Sequence, residues 1–241
     1  MEGPGVKVIS ERLRFLEGKV VLDSEGRTKK FDVGLLRGKD IKRVFSYGKN
    51  LFIEFKDLGY LRIHFLMYGS YSVNEKIKDD RFIRLMIKVD DSQVYFYNCS
   101  IDLMERYDFN NNDILSDEFS VETAVKNLKR YEGYICDALL DQELFPGVGN
   151  IIKVEGLYRA SIHPLSICKN IPEEKMENLV KEVRSFSFIF YKTIKENNRL
   201  KEYLVCYGRR TCPRCSGKMV IRRLGEKKRI NYLCENCQIL F

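Results

Sequence analysis

No apolar run in this 241-residue chain reaches the roughly 18 residues that a membrane-spanning helix needs. The first residues also lack the basic start and apolar core of a secretory leader. Membrane and secreted classes are therefore disfavoured, and the expected location is cytoplasmic, at the nucleoid, or nuclear. Histidine is scarce: His64 and His163 are the only two, neither stands in a ligand or triad pattern, and both read as structural. Internal repeats and low-complexity segments are missing as well. Acidic residues fall short of basic ones, 34 Asp+Glu against 42 Lys+Arg, and the net charge of +8 favours a polyanionic partner. What is present is ordinary for a folded protein: 44% apolar and 32% charged residues suffice for one large domain or two modest ones.

Eight cysteines in a chain with no secretory signal argue for reduced thiols or metal rather than disulfides. Cys99, Cys136, Cys168 and Cys206 are scattered through apolar or mixed surroundings and read as small buried hydrophobes. The remaining four form two knuckles, Cys212-Pro-Arg-Cys215 and Cys234-Glu-Asn-Cys237, separated by "SGKMVIRRLGEKKRINYL". That spacer is the length of one β-hairpin, which brings four thiolates to a tetrahedral corner and predicts a zinc ribbon holding one structural Zn2+. A pair of redox dithiols would need a thioredoxin-like βαβ setting, which is lacking.

From Lys49 onward, "KNLFIEFKD", "YLRIHFLMY", "RFIRLMIKVDD" and "SQVYFYNCS" are short, β-rich and separated by turn residues. With an earlier pair around "KVVLDSEG" and "RTKKFDVGL" they predict an antiparallel sandwich. The opening "VKVISERLRFLEG" suits a helix with Val6, Ile9, Leu13 and Leu16 on one face and Gly18 as its stop. "ERYDFNNNDILSDEF" has no periodicity and marks a boundary. Beyond it the period becomes helical: Ser120 is a candidate N-cap, and a long helix from Pro172 carries Met176, Leu179, Val180, Val183, Phe186, Phe190 and Ile194 at core spacing. The expectation is an α+β protein. Residues 1–116 form a β-sandwich domain with an N-terminal helix, 117–204 a helical domain, and 205–241 the zinc ribbon.

Between two helical stretches lies "LLDQELFPGVGNIIKVEGLYRASIHP". Glycine backbone at Gly147 and Gly149, N–H groups of the next helical turn and the Asn150 side chain suit an anion such as phosphate, although glycine also serves chain reversal alone. This stretch resembles the helix–two-turn–helix signature of the Fpg/Nei DNA glycosylases (formamidopyrimidine-DNA glycosylase and endonuclease VIII). "VCYGRRTCPRC", "YGKNLFIEF" and "LRIHFLMYGSY" resemble further family segments, the last two placing the family's lysine and void-filling methionine at Lys49 and Met67. The resemblance implies a two-domain enzyme that grips damaged or abasic DNA between sandwich and helical domain, acts as a monomer and combines glycosylase with abasic-site lyase activity. It implies DNA contacts from Gly149, Asn150 and Arg229. Glu155 lies near a family carboxylate that faces the site, and reads otherwise as a solvated or capping residue. For Arg229 the plain alternative is a solvated hairpin face.

"MEGPG" departs from the family's Met-Pro-Glu start. With "EGP" aligned, Met1 takes the nucleophile position. Its α-amine is the expected nucleophile, since any amine forms a Schiff base and an α-amine with an ordinary pKa of about 7.7–8.0 is partly deprotonated near neutrality. Glu2 is expected to move protons and Lys49 to hold phosphates and assist elimination. The family's Asp-x-Arg-Arg-Phe-Gly wedge is replaced by "NCSIDLMERYDF". Both departures resemble a Nei-like branch, and they predict oxidised pyrimidines and hydantoins in single-stranded or unpaired DNA as substrates. Two other classes stay open: a catalytically inactive damage or junction binder of the same fold, and a zinc-ribbon protein of transcription or the ribosome, against which the "EGP" start counts.

Overall fold

A computed structural model describes residues 1–241, which divide into two compact units. The first comprises Met1 and Val6–Phe109, the second Glu2–Gly5 and Asn110–Phe241. Helix α1 (Gly3–Arg12) begins earlier than its apolar spacing indicated and ends at Arg12 rather than at Gly18, with Leu16 in a separate 3-10 turn (Arg14–Leu16); Val6, Ile9, Leu13 and Leu16 are all buried as expected.

The first unit is a sandwich of two four-stranded antiparallel sheets. One runs in the order β2 (Ile41–Tyr47), β3 (Asn50–Phe55), β4 (Gly59–His64), β8 (Ser100–Met104). The other runs β1 (Asp23–Gly26), β6 (Ile83–Val89), β7 (Ser92–Tyr97), β5 (Ser70–Val73). Alternation drives the pairing: Leu51, Ile53, Leu61 and Ile63 meet Leu85, Ile87, Val94 and Phe96 in one core. "RTKKFDVGL" forms no strand. Asp32 instead caps a 3-10 turn at Val33–Leu36, its carboxylate accepting from the Gly34 N–H at 2.9 Å. On the outer face of the β2–β3–β4–β8 sheet, Tyr107 and Phe109 pack edge and tilt against Phe45, Phe52 and Tyr60.

The second unit is helical. Ser120 caps α2 (Val121–Arg130) by accepting from the Thr123 N–H at 3.2 Å. A short α3 (Ile135–Ala138), the glycine turn, α4 (Asn150–Arg159) and α5 (Glu173–Lys195) follow. Met176, Leu179, Val180, Val183, Phe186 and Phe190 of α5 are buried in this unit's core. The antiparallel hairpin β9 (Val220–Leu224) and β10 (Arg229–Leu233) completes the chain as the spacer length predicts. No helix is long and apolar enough to cross a membrane.

Candidate functional site

In the first unit the α-amine of Met1 donates to the Leu66 carbonyl at 2.7 Å. The accepting loop is tightly made. Gly69 N–H closes it on the Phe65 carbonyl at 2.7 Å, and Leu66 holds a left-handed φ of +50°. A Cβ at Gly69 would lie 2.6 Å from the Phe65 carbonyl carbon and closer still to its oxygen, so no other residue closes this turn without movement. His64 supports the loop, its Nδ1 accepting from the Leu66 N–H at 3.1 Å. That bond requires a neutral imidazole. Burial, then the charges of the terminal amine, Lys49 and Arg62, hold the His64 pKa below its ordinary 6.5. Lys49 sits in the two-residue turn joining β2 and β3, beside Asn50, whose cross-strand partner is His64. Register thus brings the amine, Lys49, His64 and the loop bearing Met67 to one end of one sheet. Met67 is 71% exposed.

In the second unit the glycine turn has a different occupant from the one its pattern suggested. The anion at the head of α4 is the protein's own Glu2: Ile151 N–H donates to Oε1 at 2.7 Å and Ile152 N–H to Oε2 at 3.2 Å. Gly149, expected against a phosphate, is buried against this carboxylate. A Cβ there would stand 2.6 Å from Glu2 Oε1 and closer still to Cδ and Cγ. Gly3 N–H donates to the Gly147 carbonyl at 2.9 Å and fixes the approach. Glycine is required because a side chain comes close.

Asn150 is tied in on both sides. Its amide donates to the Ile230 carbonyl at 3.0 Å and its oxygen accepts from Lys153 Nζ at 2.9 Å. Lys153, which no sequence argument singled out, is wholly buried and also reaches the Ile230 carbonyl at 3.4 Å. Burial, assisted by the Arg229 charge, lowers its pKa to about 8, against the opposing pull of Cys136, Asp137 and Glu2. The signal was available: a lone lysine inside the apolar run "NIIKVEGLYR". Arg229, at the start of β10, is exposed on the hairpin that Asn150 and Lys153 contact.

Glu155 corrects the expectation of a DNA-facing carboxylate. It is completely buried and accepts from the N–H groups of Val205, Cys206 and Tyr207 at 2.8–3.1 Å, with Arg159 at 3.4 Å. Three successive donors between α5 and the ribbon need an acceptor, and Glu155 supplies it. Asp137 does the same at the hairpin tip, accepting from Glu226 N–H at 2.8 Å and Lys227 N–H at 3.1 Å.

The sulfurs of Cys212, Cys215, Cys234 and Cys237 lie within 4.8 Å of one another. Two of the gaps are 3.7 and 3.5 Å, close to the about 3.8 Å edge of a tetrahedron with metal–sulfur bonds near 2.3 Å, so the set fits a metal ion. The scattered thiols are buried as expected, and burial pushes those of Cys99, Cys136 and Cys168 up to about 12.

Two family models match the chain: the formamidopyrimidine-DNA glycosylase N-terminal domain over residues 1–100 and the formamidopyrimidine-DNA glycosylase H2TH domain over residues 111–201. Endonuclease 8-like 3 of Xenopus laevis is 33% identical over 222 residues, which is 86% of this chain but 36% of the relative. The chain therefore spans about a third of that protein. Endonuclease 8-like L720 of Acanthamoeba polyphaga mimivirus is 24% identical over 277 residues and is covered in full, with 99% of this chain aligned. Among solved structures, the Lactococcus lactis formamidopyrimidine DNA glycosylase bound non-covalently to DNA containing an AP site superposes with a TM-score of 0.86 at 21% identity, covering 99% of both chains. Two matching family models, together spanning most of the sequence, and the shared fold lead to one conclusion: this chain belongs to the Fpg/Nei family.

Proposed function

We propose that this protein is a base-excision DNA glycosylase with abasic-site lyase activity and that the α-amine of Met1 is its nucleophile. The observation that carries the reading is the amine held 2.7 Å from the Leu66 carbonyl in the electrostatic company of Lys49 and His64. The amine nitrogen attacks C1′ of the damaged nucleotide, the glycosidic C–N bond breaks, and the base leaves with a proton. Glu2, one peptide bond away, takes the proton that the amine nitrogen sheds and passes it to the ring oxygen as the sugar opens to an imine. Loss of a C2′ proton then expels the 3′ phosphate, and water releases the enzyme amine. Lys49 holds phosphates and aids this elimination, Met67 fills the gap left by the extruded nucleotide, and Asn150 and Arg229 act on the backbone.

Substrates are oxidised pyrimidines and hydantoins in single-stranded or unpaired DNA, with intact 8-oxoguanine poor. The reading is supported by the endonuclease 8-like relatives, by the AP-site DNA in the Lactococcus complex, and by the commitment of Tyr107 and Phe109 to the sheet rather than to a wedge. One structural zinc ion on the four cysteines fixes the ribbon and takes no part in the chemistry. The functional division follows residues 1–116, 117–204 and 205–241, and the enzyme works as a monomer at the nucleoid or in a nucleus.

The test is borohydride trapping on abasic DNA, followed by intact mass and peptide mapping. A covalent adduct at residue 1 is expected. Absence of an adduct with folded protein favours the second reading, a non-catalytic damage binder of the same fold, and an adduct on a lysine side chain refutes the amine assignment.

A further inference from the structure

Lys153 is wholly buried, yet both groups that accept from its ammonium are neutral: the Asn150 side-chain oxygen at 2.9 Å and the Ile230 carbonyl at 3.4 Å. The carboxylates that act on its charge, Glu2 and Asp137, are occupied with backbone N–H groups at the head of α4 and at the hairpin tip. Taking an ammonium out of water is costly, and an apolar side chain of similar length would fill the space without that cost. Stability therefore does not account for a lysine here.

The three polar groups close a triangle. Asn150 stands one turn before Lys153 on the same face of α4, and its Nδ2 donates to the same Ile230 carbonyl at 3.0 Å. A protonated lysine only donates and a peptide carbonyl only accepts, so a single orientation of the Asn150 amide satisfies both neighbours. Turned over, the amide would set its NH2 against the ammonium and its oxygen against the carbonyl. Ile230 adjoins Arg229 at the start of β10, so the triangle also fastens the strand bearing this exposed arginine to the first turn of α4.

We propose that Lys153 is a positioning residue: it fixes the direction of the Asn150 amide and ties β10 to α4, so that Asn150 and Arg229 present one preset surface to the DNA backbone. The proposal rests on the DNA-binding reading of those two residues. Lys153 has no exposed surface and does not itself reach a phosphate. Its constraint depends on its proton, because a neutral amine also accepts and no longer dictates the direction of the amide. The charged and titratable groups around it are Cys136 and Asp137 of α3, Arg229 of β10 and Glu2, and burial brings its pKa to about 8.

The probe is a DNA duplex carrying a tetrahydrofuran abasic analogue, titrated with the full chain in zinc-containing buffer and followed by fluorescence anisotropy. Asn150→Ala and Lys153→Met are each expected to lose roughly tenfold in affinity, and the double variant no more than about twofold beyond Asn150→Ala, since Lys153 acts through Asn150. Losses that multiply mark independent contributions and overturn the proposal. The slope of log affinity against log salt is expected to be the same in Lys153→Met as in the parent; a slope smaller by about one marks a lost phosphate contact and overturns it too. Where Lys153→Met fails to fold, judged by zinc content and melting curve, the parent decides: between about pH 7 and about pH 9 its affinity is expected to fall by more than that of Asn150→Ala, other titrating groups being common to both, and equal profiles overturn the proposal. A parent that does not bind the duplex refutes the DNA reading and the proposal with it, whereas multiplying losses under firm parental binding refute only the role of Lys153.

Discussion

Substituting Gly149 by alanine tests the account of the glycine turn. Its φ of −115° and ψ of −165° are open to alanine, so the backbone raises no objection. The added methyl instead meets Glu2, 2.6 Å from Oε1 and nearer to Cγ and Cδ, where the chain must give way. The carboxylate then leaves the N–H groups of Ile151 and Ile152. Hydrogen bonds to a charged group contribute about 1.5–3 kcal/mol each, and water recovers part of that at a half-buried site, so the expected loss is about 3 kcal/mol for the second unit. At this chain length that corresponds to a fall of about 6–12 °C in melting temperature. The decisive assay is a double-mutant cycle by denaturant unfolding. In a Glu2→Ala background the obstructing side chain is gone, and Gly149→Ala should then cost less than about 0.5 kcal/mol. If alanine costs the same whether or not Glu2 is present, Glu2 is not what demands glycine, and the reasoning fails.

Glu155→Gln places an amide donor among three N–H donors; a loss of about 2–4 kcal/mol is expected in urea unfolding, with residues 205–207 losing hydrogen-exchange protection first. His64, with a folded pKa below 6.5, takes up a proton later than it does in the unfolded chain, so its contribution to stability is intact above about 6.5 and is lost as pH falls through the folded value. Melting curves from pH 7.5 to 5 should show the first unit weakening toward acid, and His64→Gln should flatten that dependence. Lys153 works in the same direction on the alkaline side. Because its folded pKa of about 8 lies below the ordinary 10.5, the unfolded state holds the extra proton between those values and stability rises with pH across them. Lys153→Met should lose that rise in a pH series of unfolding free energies, and an identical slope in both proteins would refute the assignment.

The strands legible in the sequence are mostly those with neighbours on both sides; β1, within "KVVLDSEG", is the edge strand that was also read. β3, β4, β6 and β7 are central, and β3 and β7 are buried along most of their length. β2, β5 and β8 went unread and are all edges, where half-exposed positions admit residues such as Lys42, Arg43, Ser70 and Asp102 and dilute the period. The same division runs through the candidate site. Ser120, the four cysteines and the ribbon hairpin were visible because each depends on residues close in sequence or on a fixed spacing. The occupant of the α4 head was not visible. Glu2 meets Ile151 across 149 positions, Asp137 meets the hairpin tip across about ninety, and Glu155 meets its donors across about fifty. Each is a carboxylate received by backbone N–H groups, and backbone donors carry no residue signature. A pattern that announces an anion site therefore does not reveal whether the anion belongs to a ligand or to the chain.

The ribbon's last residues return to the helical unit. His163 and Ile167 N–H groups donate to the carbonyls of Ile239 and Phe241, Gln238 donates to Ile162, and the Tyr158 hydroxyl shares a hydrogen bond with Cys212 Sγ. Loss of an ion held by the four cysteines would thus be felt beyond the hairpin: it would uncover Val154 and Tyr158 of α4 and deprive Glu155 of its setting. With an ion bound there, the amount of intact protein would follow metal supply, and starvation would lower abundance through proteolysis before it altered any property of the surviving molecules.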